Sequence, residues 1–271
     1  LWADRYDGSM ESVFELQDQV CSEVVSALSV NLTNSETERL HTVHTTNFDA
    51  YELFVRAKAT PYPPVPPRLA EAKELFELVV EKAPEFAGGY AGLSWIISFG
   101  ALWGKTDPAV LGARAEALAY TAISVDEAFG WTYTVLGIAL MAQRRFDEAV
   151  TAADQGLELL PSDADAHVFY AVINAMRGNY SKAINAAEGA FRLSPNFVSG
   201  PYLNVMCHAN FMAGNYDAAL AAHEKNIERG GPIGPPAFCW SAACYQAAGK
   251  SEAAGQTVAR LTERFPEFGL K

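Results

Sequence analysis

The stretch Arg177-Gly178-Asn179-Tyr180 returns almost unchanged as Ala213-Gly214-Asn215-Tyr216, 36 residues on. Ala248-Gly249-Lys250-Ser251 repeats the pattern 35 residues further, and Phe146, in Arg144-Arg145-Phe146, stands 34 residues before Tyr180. A small residue follows each turn at a matching offset: Ala149, Ala183, Ala219 and Ala254, and further back Ala115 and Ala72. From Ala72 the spacings are 43, 34, 34, 36 and 35. Twelve residues after most of these alanines stands Pro84, Glu127, Pro161, Pro195 or Pro266, and Pro232 arrives one residue late. A period near 34 residues is that of helix pairs stacked into a solenoid.

Inside one period the apolar and small residues recur at helical spacing. Tyr133, Leu136, Gly137 and Leu140 mark a first helix; Phe146, Ala149, Ala153 and Leu157 mark a second. The turn glycine suits the position after a helix, where φ is positive. The proline ends the second helix because it cannot continue one. The predicted fold class is all-α: a right-handed superhelix of about six helix-turn-helix pairs with an extra N-terminal helix.

This pattern resembles the tetratricopeptide repeat family, with an aromatic at position 4, Leu at 7, Gly or Ala at 8, Ala at 20 and Pro at 32. Residues 130–163 match through Tyr133, Leu136, Gly137, Ala149 and Pro161, and residues 164–197 through His167, Tyr170, Ala171, Ala183 and Pro195. Tyr90, Leu93 and Ser94 match an earlier unit, while the last two units place Val205 and Ala242 at position 8. Six repeats are read, near 47–84, 85–127, 128–161, 162–195, 196–232 and 233–266, within a solenoid covering 47–271. The run Pro61-Tyr62-Pro63-Pro64-Val65-Pro66-Pro67 reads as an extended polyproline loop. About nine extra residues between Ser98 and Pro108 read as a second elaborated loop, and Pro201 and Pro235-Pro236 fit first-turn helix positions.

Residues 1–46 lack the repeat. Leu1 to Gly8 reads as a strand end running into a turn. Ser9 is a candidate N-cap, and Val13, Leu16, Val20, Val24 and Leu28 form one stripe of an amphipathic helix within Glu11–Leu32. The pattern from Leu1-Trp2-Ala3-Asp4-Arg5-Tyr6-Asp7-Gly8 into that helix resembles the junction after a TolB-like domain in bacterial signalling proteins. Those proteins carry a class III adenylate or guanylate cyclase domain, or a winged-helix DNA-binding domain, at their amino end. The resemblance implies a C-terminal region of such a protein: the end of an upstream domain and a linking or capping helix over 1–46, then the array.

Composition narrows the function classes. Twenty Lys and Arg against 32 Asp and Glu give a net charge of -12, which disfavours nucleic acid and anionic membrane surfaces as partners. Four cysteines without a pairing pattern point to a reducing, cytoplasmic compartment. No apolar run reaches the length of a membrane span. With Leu1 first and no apolar leader, a segment of a longer protein is expected, without a signal peptide.

No catalytic constellation emerges. Gly230-Gly231-Pro232 is an inter-repeat turn, not a phosphate loop. His41 and His44 lack a third metal ligand nearby, and Cys207 and Cys244 read as packing residues at equivalent positions. No catalytic residue, cofactor or metal is assigned. The candidate site is the concave groove, lined by first-helix positions: Glu52 and Arg56; Trp95; Trp131, Thr134, Ile138 and Met141; Val168 and Val172; Asn204, His208 and Phe211; and Gln246. Its apolar middle reads either as a hot spot for a protein or peptide partner or as intramolecular packing. The leading expectation is a non-catalytic regulatory and protein-interaction module of a bacterial nucleotide cyclase. It would bind a partner, a ligand or the protein's own upstream domains, or form a homodimer. The alternatives are the sensor of a winged-helix transcription regulator and a free-standing assembly scaffold.

Overall fold

The computed structural model describes residues 13–27, 33, 44–61, 66–103, 107–195, 200–229, 234–266 and 268. Among them are thirteen helices and no strand. Helix α1 is described over Val13–Ala27, within the predicted stripe; the strand end, Ser9, the predicted ends of this helix and His41 lie outside the described residues. Six pairs follow: α2 (Phe48–Ala59) with α3 (Pro66–Lys82), α4 (Ala87–Trp103) with α5 (Pro108–Val125), and α6 (Trp131–Ala142) with α7 (Phe146–Leu159). The last three are α8 (Ala164–Arg177) with α9 (Tyr180–Leu193), α10 (Gly200–Met212) with α11 (Tyr216–Glu228), and α12 (Pro235–Ala247) with α13 (Ser251–Arg264). Each helix packs on its pair mate, and α4, α6, α8, α10 and α12 pack on one another in series. The array is a helical-repeat superhelix.

Among the described residues, two departures from the period add to helices. The insertion near 98–108 lengthens α4 and α5 to 17 and 18 residues, against 12 and 14 in the next pair. Pro66 and Pro67 belong to the first turn of α3, where a missing N–H costs nothing; residues 62–65 of the predicted polyproline run lie outside the described residues. Asp107 caps α5 by accepting a hydrogen bond from the Ala109 N–H at 2.9 Å.

The turns inside the last four pairs share one backbone conformation. Positive φ occurs at Arg144 (62°), Gly178 (94°), Gly214 (82°) and Gly249 (72°), the quoted turns of those four repeats. A buried asparagine holds two of these turns. Asn174 donates to the Tyr170 carbonyl at 3.0 Å and accepts from Asn179 Nδ2 at 3.1 Å. Asn210 does the same with Met206 (2.9 Å) and Asn215 (3.3 Å). This register shows that Cys207 lies seven residues before its turn glycine and Cys244 five, so the two are not equivalent. Cys207 takes the small-residue position of Gly137 and Ala171.

Small residues set the spacing between helices. A Cβ on Gly137 would lie 2.8 Å from Ile173 and 3.1 Å from the Ala149 carbonyl, so α6 approaches α7 as only glycine permits.

Arg144 holds a left-handed conformation that its three counterparts assign to glycine. Arg144→Gly is expected to raise stability by about 0.5–1 kcal/mol, because relief of the left-handed strain exceeds the added backbone entropy. Gly178→Ala is expected to lower it by about the same amount. Thermal denaturation of the two variants beside the parent checks both signs.

Candidate groove

The groove face is graded in its exposure. In α4 and α6 it is buried: Trp95 is 1% exposed, Trp131 3%, Thr134 2%, Ile138 2% and Met141 5%. In α8 Val168 is buried at 2% and Val172 half-buried. In α10 Asn204, His208 and Phe211 are all half-buried, and in α12 Cys239 and Ala243 are half-buried and Gln246 exposed. The concave surface opens toward the C-terminal repeats.

Helix α2 closes the other end. Phe54 packs edge-on against Phe86 (5.2 Å), which precedes α4, and against Phe129 (6.0 Å) and Trp131 (5.6 Å) at the start of α6. One turn on, Lys58 lies 4.8 Å over the Trp131 ring and reaches Asp163 and Asp165, at the start of α8, at 4.0 Å each. Helix α2 therefore crosses the beginnings of α4, α6 and α8. Its approach is fixed as well. His44 Nδ1 lies 2.6 Å from Asp126 Oδ2, Asn47 caps α2 through the Ala50 N–H, and Asp49 pairs with Lys82 at 3.6 Å.

This placement corrects the expected apolar groove. Trp95 packs edge-on against Trp131 at 5.5 Å, Phe99 at 5.4 Å and Phe169 at 6.4 Å, and Phe76 lies 6.3 Å from Trp131. Trp95, Trp131, Ile138 and Met141 belong to one buried cluster running from Ala50 to Val205, and Val168 packs in a smaller one with Ala190. Thr134 turns toward α7, where a Cβ on Gly156 would meet its Oγ1 at 2.6 Å. Trp95 and Trp131 are core because α2 and the long α4 bring aromatic partners onto their face, whereas Thr134 and Val168 are buried toward the second helices α7 and α9. Glu52 and Arg56 are exposed, and helical geometry places both opposite Phe54, away from the cluster. Arg56 instead meets Glu71 of α3 at 3.7 Å. The stripe Ala50, Phe54, Ala57 was the sequence signal for this closure, but nothing in it named the partner surface.

Among the described residues, what stays open lies over α8, α10 and α12. His208 stacks on Trp240 with centroids 4.6 Å apart and planes 14° from parallel. Asn204 accepts from Asn226 Nδ2 at 3.0 Å, which holds its amide from behind. Burial keeps His208 neutral by pushing its pKa below the usual value. His223 behind it is lowered too, by burial first and then by Arg260, with Glu224 opposing. Burial also pushes the Cys207 thiol up to about 12 and Cys244 to about 11, so both stay protonated and inert as nucleophiles. The described residues hold no cluster of three or more His, Cys, Asp or Glu suited to a metal ion. No described helix is long and apolar enough to cross a membrane. The surface offers stacking, apolar contact and neutral hydrogen bonding.

Burial separates the two ends of the groove in stability as well. Trp131→Ala is expected to cost about 3–5 kcal/mol, as truncation of a buried indole does, whereas Phe211→Ala costs clearly less; chemical denaturation of both separates core from surface. His208 and His223 have folded pKa values below the unfolded one, so on acidification the unfolded chain takes up protons first. Their contribution is intact above pH 6.5 and lost as pH falls through and below it. Stability measured along a pH series is expected to fall on the acid side, and His208→Gln with His223→Gln to flatten that limb.

The fold and sequence have known counterparts. The tetratricopeptide repeat profile matches residues 134–196. The chain is 35% identical over 151 residues to a protein named putative adenylate cyclase 3 of Rhizobium meliloti (strain 1021); the match covers 55% of this chain and 26% of that protein. Among solved structures, the array is similar to PilW, a type IV pilus biogenesis factor (TM-score 0.59, 16% identity, 81% of this chain and 95% of that one). It is similar to a chain of the Cut9–Hcn1 assembly of APC/C (TM-score 0.62, 15% identity, 95% and 51%). It is also similar to a thermophilic tetratricopeptide repeat protein of Thermus thermophilus (TM-score 0.52, 18% identity, 74% and 97%). At these identities the structures speak for the fold alone. The tetratricopeptide repeat match is confined to residues 134–196; over the rest of the chain the solved structures share the helical-repeat architecture.

Proposed function

We propose that this array is the non-catalytic regulatory and protein-interaction module of a cyclase-type signalling protein. It engages a protein or peptide partner, or another domain of its own protein, through the open face of its last three repeats. The observation that carries the cyclase link is the 35% identity over 151 residues to the putative adenylate cyclase. The chain matches about a quarter of that relative's length, so catalysis in this reading belongs to parts beyond the array. The choice of surface rests on the exposure gradient: Val172, Asn204, His208, Phe211 and Gln246 face the open end, while the tryptophans Trp95 and Trp131 are core. Such a face suits an extended or helical segment with apolar side chains, since Trp240 and Phe211 supply apolar area and Asn204 a held amide. A cytoplasmic setting belongs to the same reading, supported by four unpaired cysteines.

Binding regulates only if it favours one state of the attached domains over another. The natural full-length protein is therefore assayed for conversion of ATP to cyclic AMP and pyrophosphate, with and without Phe211→Glu. The expected result is measurable cyclase activity that changes about fivefold or more with the substitution, while circular dichroism shows intact helices. Absence of cyclase activity defeats the cyclase assignment. Activity indifferent to Phe211→Glu and to His208→Glu defeats the assignment of the regulatory surface.

A further inference from the structure

The second helices of the pairs offer an internal comparison. They occupy equivalent places, so their outward faces are expected to look alike. Among the described residues, α3, α7, α9, α11 and α13 each expose three to six charged side chains, whereas the 18-residue α5 exposes one, Arg114. The rest of its outward face includes Val110, Ala113, Ala117, Tyr120 and Thr121, with Val110 62% and Tyr120 51% exposed. The one acid of α5, Glu116, is drawn off this face. Arg145 at the start of α7 holds it through both oxygens at 2.7 and 2.8 Å, and Gln143 adds a third contact at 2.8 Å.

We infer that this face of α5 is a homodimer contact, its occupant the α5 of a second copy of this chain. Two arguments select a second copy. The first is charge. A chain of net charge -12 repels its own copies wherever acids meet. The outward faces of α3 and α7, with Glu71, Glu74, Glu77 and Glu81 and with Asp147, Glu148, Asp154 and Glu158, therefore exclude self-contact. On α5 that penalty is absent. The second is self-complementarity, which a two-fold contact demands. When two α5 helices lie antiparallel with the dyad level with Ala115, Ala113 comes level with Ala117 of the other copy and Val110 with its Tyr120. Small side chains then meet at the centre, which allows close approach of the axes. Large ones flank them at both ends, and helical geometry leaves Arg114 at the rim.

The size of the contact sets its strength. An 18-residue helix is about 27 Å long. One of its faces covers about 400 Å² per copy, half of the roughly 800 Å² per partner of a stable interface. The dimer is therefore weak and reversible, populated at high local concentration.

Sedimentation velocity of the 271-residue chain over a concentration series tests this. A monomer–dimer equilibrium is expected. Ala117→Glu is expected to weaken it about tenfold or more, Tyr120→Ala to weaken it less, and Ala218→Glu, the same change on the outward face of α11, to leave it unchanged. Circular dichroism shows that all three variants fold. A chain that stays monomeric up to its solubility limit overturns the proposal. So does a dimer indifferent to Ala117→Glu. Monomers in which Tyr120 is shielded from solvent quenchers also overturn it, because the face then belongs to the chain's own segments.

Discussion

The contact between Phe54 and Trp131 is the hinge of this architecture. A helical-repeat array is held together by nearest-neighbour interfaces, each repeat touching only the next. Phe54 breaks that rule: from the first pair it reaches past α4 to the start of α6. Once it does so, Trp95, Phe76, Phe129 and Phe169 converge on the same point with ring centroids 5.5–6.5 Å apart. Edge-to-face geometry, shared by these contacts except the tilted Phe76–Trp131 pair, adds a modest gain beyond burial. The first four repeats thus share a core across what is normally an open concave face.

That closure divides the molecule by mechanical character. The N-terminal repeats are cross-braced: Lys58 ties α2 to α8, His44 ties the entering chain to Asp126, and Asp49 ties α2 to α3. Each brace joins segments far apart in sequence. Among the described residues, the C-terminal repeats show only their sequential interfaces, and their clusters are small, such as the one around Leu203, Cys207 and Leu220. Fewer buried apolar contacts mean lower local stability against opening. A surface meant to adapt to a partner belongs in such a region, and the half-buried His208, Phe211 and Asn204 lie there.

The outer surface carries a parallel lesson. Because the pairs are equivalent by construction, an exception among them has more meaning than the same surface on an irregular fold. The weakly charged outward face of α5 is such an exception, and the length of α5 comes from the same insertion that lengthens α4. One departure from the period thus supplies both an aromatic extension into the core and an extended apolar face outside.

Helix pairs, their period and their turns were legible along the chain, because each depends on local chemistry. A glycine or asparagine after a helix, a small residue at a close crossing and a proline at a stop act within a few residues of themselves. Arg144 was the hardest of these to read, since only its place in the period marks it as left-handed. The candidate site was half legible. Helical spacing correctly put Trp131, Val168 and His208 on the first helices, but spacing assigns a direction, not a neighbour. Whether that direction faces solvent depends on what another segment brings to it. Phe54 and Lys58, more than 70 residues before Trp131, cover it, while nothing comparable covers Phe211 among the described residues. Long-range packing therefore turned two tryptophans from a plausible binding surface into the core, and left the open face to the end of the array.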